Sequence, residues 1–147
     1  MLKVYLDVSA LGRPFDLQSS DRITQESAAV VKILALVDDG KAELANSPAL
    51  TYEISANPDP YVRAHLLGLL EEKGVPNGAS PFLVGDMIDL LAISNVSLLD
   101  AMHASIALVG GSSFITCDDR LLGRLRRARV DGWCGTPVEF CSQMGVK

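Results

Sequence analysis

The segment Leu2-Lys3-Val4-Tyr5-Leu6-Asp7-Val8-Ser9 decides how this chain folds. Residues 2–6 are a short run of apolar and β-forming side chains followed by polar, turn-forming residues. This is the pattern of a buried strand that ends at Asp7. Residues 113–116, Ser-Phe-Ile-Thr, form another short buried run, and it too ends at acids, Asp118 and Asp119. Two predicted strands therefore each carry an aspartate just past their carboxyl end.

Helical patterns fill much of the chain between these strands. Apolar residues recur at helical spacing from Asp21 to Asp39, and Gly40 is placed as a C-terminal stop. The pair Ser47-Pro48 supplies an N-cap and a first helical proline for a helix that carries Glu53. The remaining predicted elements are a strand over 41–46, helices over 60–73, 86–94, 97–109 and 119–129, a loop over 74–85, a strand over 130–134, and a terminal helix opened by the capping box Thr136-Pro137-Val138-Glu139. Within the helix over 97–109, the predicted apolar stripe consists of Leu99, Met102, Ile106 and Val109.

Strands that alternate with helices predict an α/β fold with three layers, α/β/α, and a mainly parallel central sheet. The chain has 147 residues and 48% hydrophobic content, which is the size of one domain with a substantial core, so we expect a single domain over 1–147. In such sheets the functional crevice lies outside the carboxyl ends of the strands. Asp7 and Asp118 are therefore expected to share that crevice.

Composition limits the function classes. The net charge of −5 argues against a surface that binds nucleic acid by overall charge, an argument that weakens if acids cluster around bound cations. Three cysteines without Cys-x-x-Cys spacing are expected to be free thiols in a reducing cytoplasm. The start of the chain lacks an export leader, and the apolar stretches are far shorter than the ~20 residues of a membrane span. We therefore expect a cytoplasmic protein without a membrane partner.

Acids from separate parts of the chain meet the needs of a divalent metal site. A phosphodiester is negatively charged and resists attack by hydroxide, so its hydrolysis usually recruits a divalent metal. Magnesium prefers oxygen ligands and keeps several waters, so a few carboxylates suffice. The candidates are Asp7, Glu53, Asp100 and Asp118.

Several segments resemble those of PIN domains, in the same order along the chain. Val4-Tyr5-Leu6-Asp7-Val8-Ser9 resembles the family's opening strand with its acid, and residues 47–54 resemble its second acidic segment. Leu99-Asp100-Ala101-Met102-His103-Ala104 is similar to its third acid on a helix of small residues, and Ile115-Thr116-Cys117-Asp118 is similar to its Thr-x-Asp segment. Residues 136–140 resemble the family's usual ending, so the similarity covers almost the whole chain.

The resemblance implies a PIN-like fold and a metal-dependent endoribonuclease of the VapC toxin kind. It implies that magnesium, or manganese in its place, is held by the four acids named above. It also implies an RNA substrate, a homodimer and a protein antitoxin that holds the enzyme inactive. Ser9 and Thr116 are candidates to support the metal site through their hydroxyls, the alternatives being an ordinary turn serine and an ordinary strand threonine.

Each acid also has a plainer structural interpretation. Asp7 could be a turn residue after a strand, and Glu53 could be a solvated helix residue. Ser97-x-x-Asp100 is itself a capping box that would place the carboxylate at a helix start. Asp118 competes with Asp119, either of which could cap the next helix, and the Thr-x-Asp spacing favours Asp118.

Basic residues could contact the substrate. Arg120, Arg124 and Arg127 recur at helical spacing just after the fourth acid, where guanidinium groups could meet phosphates. The alternative is a solvated helix whose cations suit its C-terminal dipole. Arg13, in the loop after Asp7, could also contact RNA or an antitoxin.

The two histidines are expected to lie outside the ligand set. His103 lies three residues after Asp100, on the same side of the helix. We expect a packed or hydrogen-bonded histidine there rather than a ligand. His65 has no partner at ligand spacing and is expected at the surface.

Two rival functions remain at the level of sequence. An aspartate after the first strand also opens the haloacid-dehalogenase phosphatase signature, but that signature needs a second aspartate where this chain has Ser9. A PIN-like fold that has lost catalysis and serves as an interaction scaffold is the other rival. Its expected mark is a lost acid, and all four acids are present.

Overall fold

The strands of the computed structural model, which describes residues 1–147, form one sheet at the centre of the protein. They are β1 (Leu2–Leu6), β2 (Ala42–Asn46), β3 (Gly74–Pro76), β4 (Ser113–Ile115) and β5 (Cys134–Gly135). All neighbours are parallel, and the five strands follow the order β3-β2-β1-β4-β5. The first strand of the chain thus occupies the middle of the sheet.

Helices flank the sheet and connect its strands. They are α1 (Val8–Leu11), a 3₁₀ helix (Arg13–Phe15), α2 (Asp21–Asp38), α3 (Pro48–Ser55), α4 (Pro60–Lys73), α5 (Pro81–Ile93), α6 (Leu98–Val109), α7 (Asp119–Ala128) and α8 (Pro137–Gln143). The predicted α/β class, with helices packed around a parallel sheet, is confirmed. No helix combines the length and the apolar character that a membrane span requires.

Local capping chemistry sets several of the helix boundaries. Ser47 accepts a hydrogen bond from the backbone N–H of Leu50 at 3.2 Å and begins α3, as predicted. Thr136 and Glu139 form both bonds of the predicted capping box at the start of α8. Gly40 has φ +72° just after α2, a backbone conformation that favours glycine and that ends the helix.

Two predicted segments were wrong in part. Residues 74–85 are not a long loop, because β3 occupies the first three positions and α5 begins at Pro81 rather than at 86. The last strand covers Cys134–Gly135 and not 130–134, since Gly132 at φ +102° bends the chain there. β3 was missed because its sequence has weak β propensity, and only its pairing with β2 makes it a strand.

The predicted apolar stripe of α6 was also wrong. Its large residues are only half-buried, and the buried side of the helix consists of Ala101, His103, Ala104, Ser105 and Ala107. Helix α6 packs on β4, and small side chains let the two backbones approach. Leu99 and Met102 instead line a groove together with residues of α3, and Ile106 packs at the margin of the main hydrophobic cluster.

Strand direction brings separate parts of the chain to one edge of the sheet. β1 and β4 are adjacent and parallel, with Leu6 in register with Ile115, so Asp7 and the residues after β4 emerge side by side. α6 leads into β4 through a short turn and therefore runs opposite to the strands, which places its first turn at the same edge. Val4, Tyr5 and Leu6 are fully buried and anchor this edge in the main hydrophobic cluster.

Candidate functional site

Asp7 is the most enclosed acid at the carboxyl edge of the sheet, with 6% of its surface exposed. Its side chain caps α1, with Oδ1 accepting from the backbone N–H of Ala10 at 3.0 Å. Oδ1 also accepts from the Ser9 hydroxyl at 2.6 Å, and Oδ2 accepts from the Thr116 hydroxyl at 2.5 Å. Asp7 therefore has the turn role that its plainer interpretation gives it, and its carboxylate is also held by two hydroxyl groups.

No basic side chain forms an ion pair with Asp7, and this distinguishes it from the other buried acid. The side chain of Glu26 is 3% exposed and is paired with the guanidinium groups of Arg13 and Arg22, at 2.8 and 3.4 Å. Asp7 has only hydrogen bonds from neutral groups and a distant electrostatic interaction with His103. Loss of hydration raises the pKa of Asp7 from 3.8 to about 6, although the hydroxyls of Ser9 and Thr116 oppose the shift.

Thr116 joins Asp7 to the acid that follows β4. Its Oγ1 donates to Asp7 and accepts from the backbone N–H of Asp118 at 3.1 Å. The Ser9 oxygen accepts from the backbone N–H of Cys117 at 3.1 Å, which closes a second link between the same two turns. Ser9 and Thr116 thus both hold Asp7, while their role toward a metal-bound water stays a prediction.

Asp118 and Asp119 differ in their hydrogen-bond partners. Both oxygens of Asp119 receive the guanidinium of Arg22, at 2.6 and 2.8 Å, and this ion pair lowers the pKa of Asp119. Asp118 caps α7 through Oδ1, which accepts from the backbone N–H groups of Arg120 and Leu121. Its Oδ2 has no protein partner, so Asp118 keeps an oxygen available at the edge of the sheet.

Glu53 is held by a chain of buried polar groups that reaches back to β1. The Nε2 atom of His103 lies 2.8 Å from Glu53 Oε1, and Nδ1 lies 2.7 Å from the Tyr5 hydroxyl. That hydroxyl lies 2.6 Å from the oxygen of Ser47, the cap of α3. An ionised Glu53 can only accept, so with a neutral imidazole the donors run from Ser47 through Tyr5 and His103 to Glu53.

This arrangement settles the expectations for the histidines. His103 is 1% exposed and hydrogen-bonded at both ring nitrogens, as expected for a packed helix histidine. Burial raises the pKa of Tyr5, because the phenolate would lose its hydration. His65 lies at the surface, as expected.

Asp100 lies in the first turn of α6, one turn before His103. Ser97 caps the helix by accepting from the backbone N–H of Asp100 at 3.4 Å, but the reciprocal bond, from the backbone N–H of Ser97 to the Asp100 carboxylate, is absent. Only half of the predicted capping box forms. The carboxylate of Asp100 is half-buried and has no hydrogen-bond or ion-pair partner in the protein.

The donor set suits magnesium in its chemistry. All four candidate acids offer carboxylate oxygens, the hard ligands that this ion prefers. Two of them, Asp7 and Asp118, follow adjacent parallel strands at one edge of the sheet. No three aspartate, glutamate, histidine or cysteine side chains are grouped closely enough to hold one metal ion between them.

The basic residues divide into paired and unpaired groups. Arg13 contacts Glu26 at 2.8 Å and Asp16 at 3.2 Å, so it ties the 3₁₀ helix to α2. Arg126 pairs with Glu139 at 3.1 Å. The salt bridges of the structure leave three arginines of α7 unpaired, and these are Arg120, Arg124 and Arg127.

Two sets of contacts were not predicted from the sequence. The first is the chain of hydrogen bonds from Ser47 through Tyr5 and His103 to Glu53, for which the available signal is a hydroxyl and an imidazole within otherwise apolar runs. The second is the pairing of the buried carboxylate of Glu26, on the inward side of α2, with Arg13 and Arg22. A buried polar side chain needs hydrogen-bond partners, so a polar residue within an apolar pattern indicates that such partners lie nearby.

Comparisons with models of protein families, with curated proteins and with solved structures find no match for this chain. The resemblance to PIN domains rests on the motifs quoted above.

The raised pKa of Asp7 makes a prediction about stability. The folded state holds the proton of Asp7 more tightly than the unfolded state does. The contribution of protonated Asp7 to the free energy of unfolding is therefore fully present below pH 3.8 and is lost as the pH rises through about 6. Asp7→Asn, which removes the charge, should therefore stabilise the metal-free protein more at pH 8 than at pH 5, by about 1 kcal/mol. Urea unfolding of both proteins with chelator present measures the difference. Asp86→Asn, at an exposed acid of α5, controls for the loss of one charge. A gain that is equal at both pH values would contradict the burial argument.

Proposed function

We propose that this chain is a metal-dependent endoribonuclease that hydrolyses RNA phosphodiesters and acts as the toxin of a toxin–antitoxin pair. The observation that carries the proposal is Asp7, a buried carboxylate without a cationic partner, at a sheet edge where Asp118 follows the neighbouring strand. Burying an unpaired charge costs several kcal/mol, and a bound cation offsets that cost. A site of this kind gains stability when a divalent ion enters it.

Asp7, Glu53, Asp100 and Asp118 are the residues that would hold magnesium, or manganese in its place. When bound, the ion would lower the pKa of a water molecule and offset the charge that develops on the phosphate. Ser9 and Thr116 keep both oxygens of Asp7 in a fixed direction. His103, itself held by the Tyr5 hydroxyl, fixes one oxygen of Glu53. Such preorganisation is what a hydrolytic site requires of its supporting groups.

The unpaired arginines of α7 support an RNA substrate despite the net charge of −5. Arg120 and Arg127 are exposed, Arg124 is half-buried, and their helix begins at Asp118. Guanidinium groups bind phosphate oxygens in pairs of hydrogen bonds. A strand of RNA that places one phosphate at the acids would place neighbouring phosphates within this basic surface.

A homodimer, together with an antitoxin, is the proposed assembly. An apolar groove of about 600 Å³ lies between α3 and α6, lined by Pro48, Ala49, Tyr52, Leu98, Leu99 and Met102. Helix α5 adds exposed Phe82, Leu83, Leu90 and Ile93. Apolar surface of this extent is typical of protein contacts, which supports a partner at this face. Free cysteines support a cytoplasmic location.

One observation favours a second candidate, a PIN-like scaffold without catalysis. No three ligand side chains are grouped to hold one ion, and Asp7 and Asp118 each use an oxygen to cap a helix. Such a protein would bind its partners without magnesium and would leave RNA intact. The cleavage experiment below separates the two functions.

The nuclease proposal makes a prediction about paired aspartate variants. With total RNA and magnesium, the wild-type protein should cleave, and chelator should stop the reaction. Asp7→Asn and Asp118→Asn should each lower the rate at least roughly a hundredfold, because each removes a charge that the site uses. The matched control is Asp119→Asn, since Asp119 is engaged by Arg22, and its rate should stay within a few-fold of wild type.

The Asp118→Asn variant keeps a side-chain oxygen that can cap α7, so its loss of activity would not be explained by loss of the helix cap. Cleavage by the Asp7→Asn protein at the wild-type rate would remove Asp7 from the mechanism. Intact RNA with wild-type protein and magnesium would instead favour the scaffold.

The arginines make a separate prediction about salt dependence. Replacing Arg120 and Arg124 together with Gln should weaken RNA binding and reduce the slope of log affinity against log salt by about 0.7 for each lost phosphate contact. Arg126→Gln changes the charge of the same helix, but Arg126 is paired with Glu139 and should leave the slope nearly unchanged. Binding to labelled single-stranded RNA in chelator gives both slopes. An equal slope for all three proteins would make these arginines ordinary surface charges.

A further inference from the structure

Arg22, in the first turn of α2, contacts the residue on each side of Asp118. Its Nη1 and Nη2 atoms donate to the two carboxylate oxygens of Asp119, at 2.6 and 2.8 Å. Nη2 also donates to the backbone carbonyl of Cys117 at 3.4 Å. The guanidinium is planar and rigid, so these bonds fix the turn in direction as well as in distance. Asp118 thus lies between two points that one side chain holds.

The buried carboxylate of Glu26 holds Arg22 from the other side. Its Oε1 accepts from Arg22 Nε at 3.4 Å. The same oxygen accepts from Nε and Nη2 of Arg13, at 3.1 and 2.8 Å. Arg13 lies in the 3₁₀ helix, which follows the short helix that Asp7 caps. One oxygen of Glu26 therefore joins the segment after β1 to the turn after β4, and these segments carry Asp7 and Asp118.

The helix that carries Arg22 is fixed in the core of the protein. Ala29, Val30 and Ile33 of α2 are buried in the main hydrophobic cluster. The turn that Arg22 contacts is different, because Asp118 is exposed to solvent. The arginine therefore connects an exposed turn to a firmly packed helix.

The other bonds of Asp118 leave a distinct role for Arg22. Asp118 Oδ1 caps α7, and the backbone N–H of Asp118 donates to Thr116. These bonds set the direction of the free Oδ2 only relative to α7 and β4. The ion pair with Asp119, the first residue of α7, adds a connection to α2. Since exposed ion pairs contribute little to stability, the main effect of this one is on geometry.

We propose that Arg22 is a positioning residue, which holds the carboxylate of Asp118 in the direction that a divalent ion requires. The inference rests on the proposed function, because that function gives Asp118 an ion to bind. Replacing a residue that orients a metal ligand typically lowers metal affinity or activity about ten- to a hundredfold. The Asp119→Asn variant keeps a side-chain oxygen that accepts from Arg22, so the contacts of Arg22 survive in that variant.

The test measures Mn²⁺ binding, from the electron paramagnetic resonance signal of the free ion, in wild-type protein and two Arg22 variants. Removing a positive charge by itself strengthens the binding of a cation, whereas losing a positioning contact weakens it. The sign of the change therefore separates the two effects. Arg22→Met should bind Mn²⁺ about tenfold more weakly than wild type. Arg22→Lys keeps the charge, but one ammonium group cannot replace all the contacts of the guanidinium, so it should also bind more weakly.

The matched control is Lys32→Met. Lys32 is an exposed cation of the same helix and has no ion-pair partner. Its replacement removes the same charge without a contact to the turn after β4, so the Mn²⁺ affinity should stay at the wild-type value.

Hydrogen exchange with chelator present gives a second readout that needs no metal. The backbone N–H groups of Cys117 and Asp118 donate to the hydroxyls of Ser9 and Thr116. Both amides should lose protection in the Arg22→Met protein, because their turn is no longer tied to α2. The control variant should keep the protection of the wild type.

Mn²⁺ binding by Arg22→Met as tight as in wild type, or tighter, would overturn the inference. Wild-type affinity in Arg22→Lys, or unchanged protection of both amides in Arg22→Met, would also overturn it. If such proteins cleave RNA with magnesium, the proposed function stands and only the role of Arg22 is lost. Wild-type protein that neither binds Mn²⁺ nor cleaves RNA would overturn both. The side chain of Arg22 is 51% exposed, so neither variant removes core packing.

Discussion

The burial of one carboxylate, Asp7, shapes the edge of this sheet. β1 is the central strand, and it delivers the acid into a space closed by the turns that follow β1 and β4. Hydroxyls from Ser9 and Thr116 hold both of its oxygens, yet no basic side chain pairs with it. Glu26, buried to a similar degree, shows how the same chain satisfies an acid that serves structure alone, with two guanidinium partners. The difference between these two acids is the physical basis for the proposal that Asp7 binds a cation.

Some of the groups around Asp7 hold the neighbouring polar side chains in place, and others lie on the adjacent surface. Tyr5, two residues earlier on the same strand, uses its hydroxyl to orient His103, which in turn orients Glu53. The small residues on the inner side of α6 bring that histidine close to the sheet. The unpaired arginines of α7 lie on the helix that Asp118 begins, and guanidinium groups suit phosphates.

Features that depend on short stretches of chain were predictable, and features that depend on distant partners were not. The bounds of β1 and α2 and the caps of α3 and α8 follow from neighbouring residues, and the structure agrees with them. β3 was missed because its glycine and proline are poor strand formers, and only pairing with β2 makes it a strand. The inward side of α6 was misassigned because hydrophobicity alone does not show that a close helix–sheet contact needs small side chains. His103 meets Glu53 and Tyr5, residues 50 and 98 positions away, and no local periodicity contains that contact.

The most direct test of the central claim is an NMR titration of the side-chain carboxyl carbon of Asp7, with and without magnesium. Without metal, the account predicts a pKa of about 6, well above the ordinary 3.8, because burial disfavours the charge. With saturating magnesium, the pKa should fall below 3.8, since the ion favours the ionised carboxylate. A metal-free pKa of Asp7 near 3.8, or a raised pKa that magnesium does not change, would contradict the claim that this buried acid binds a divalent cation.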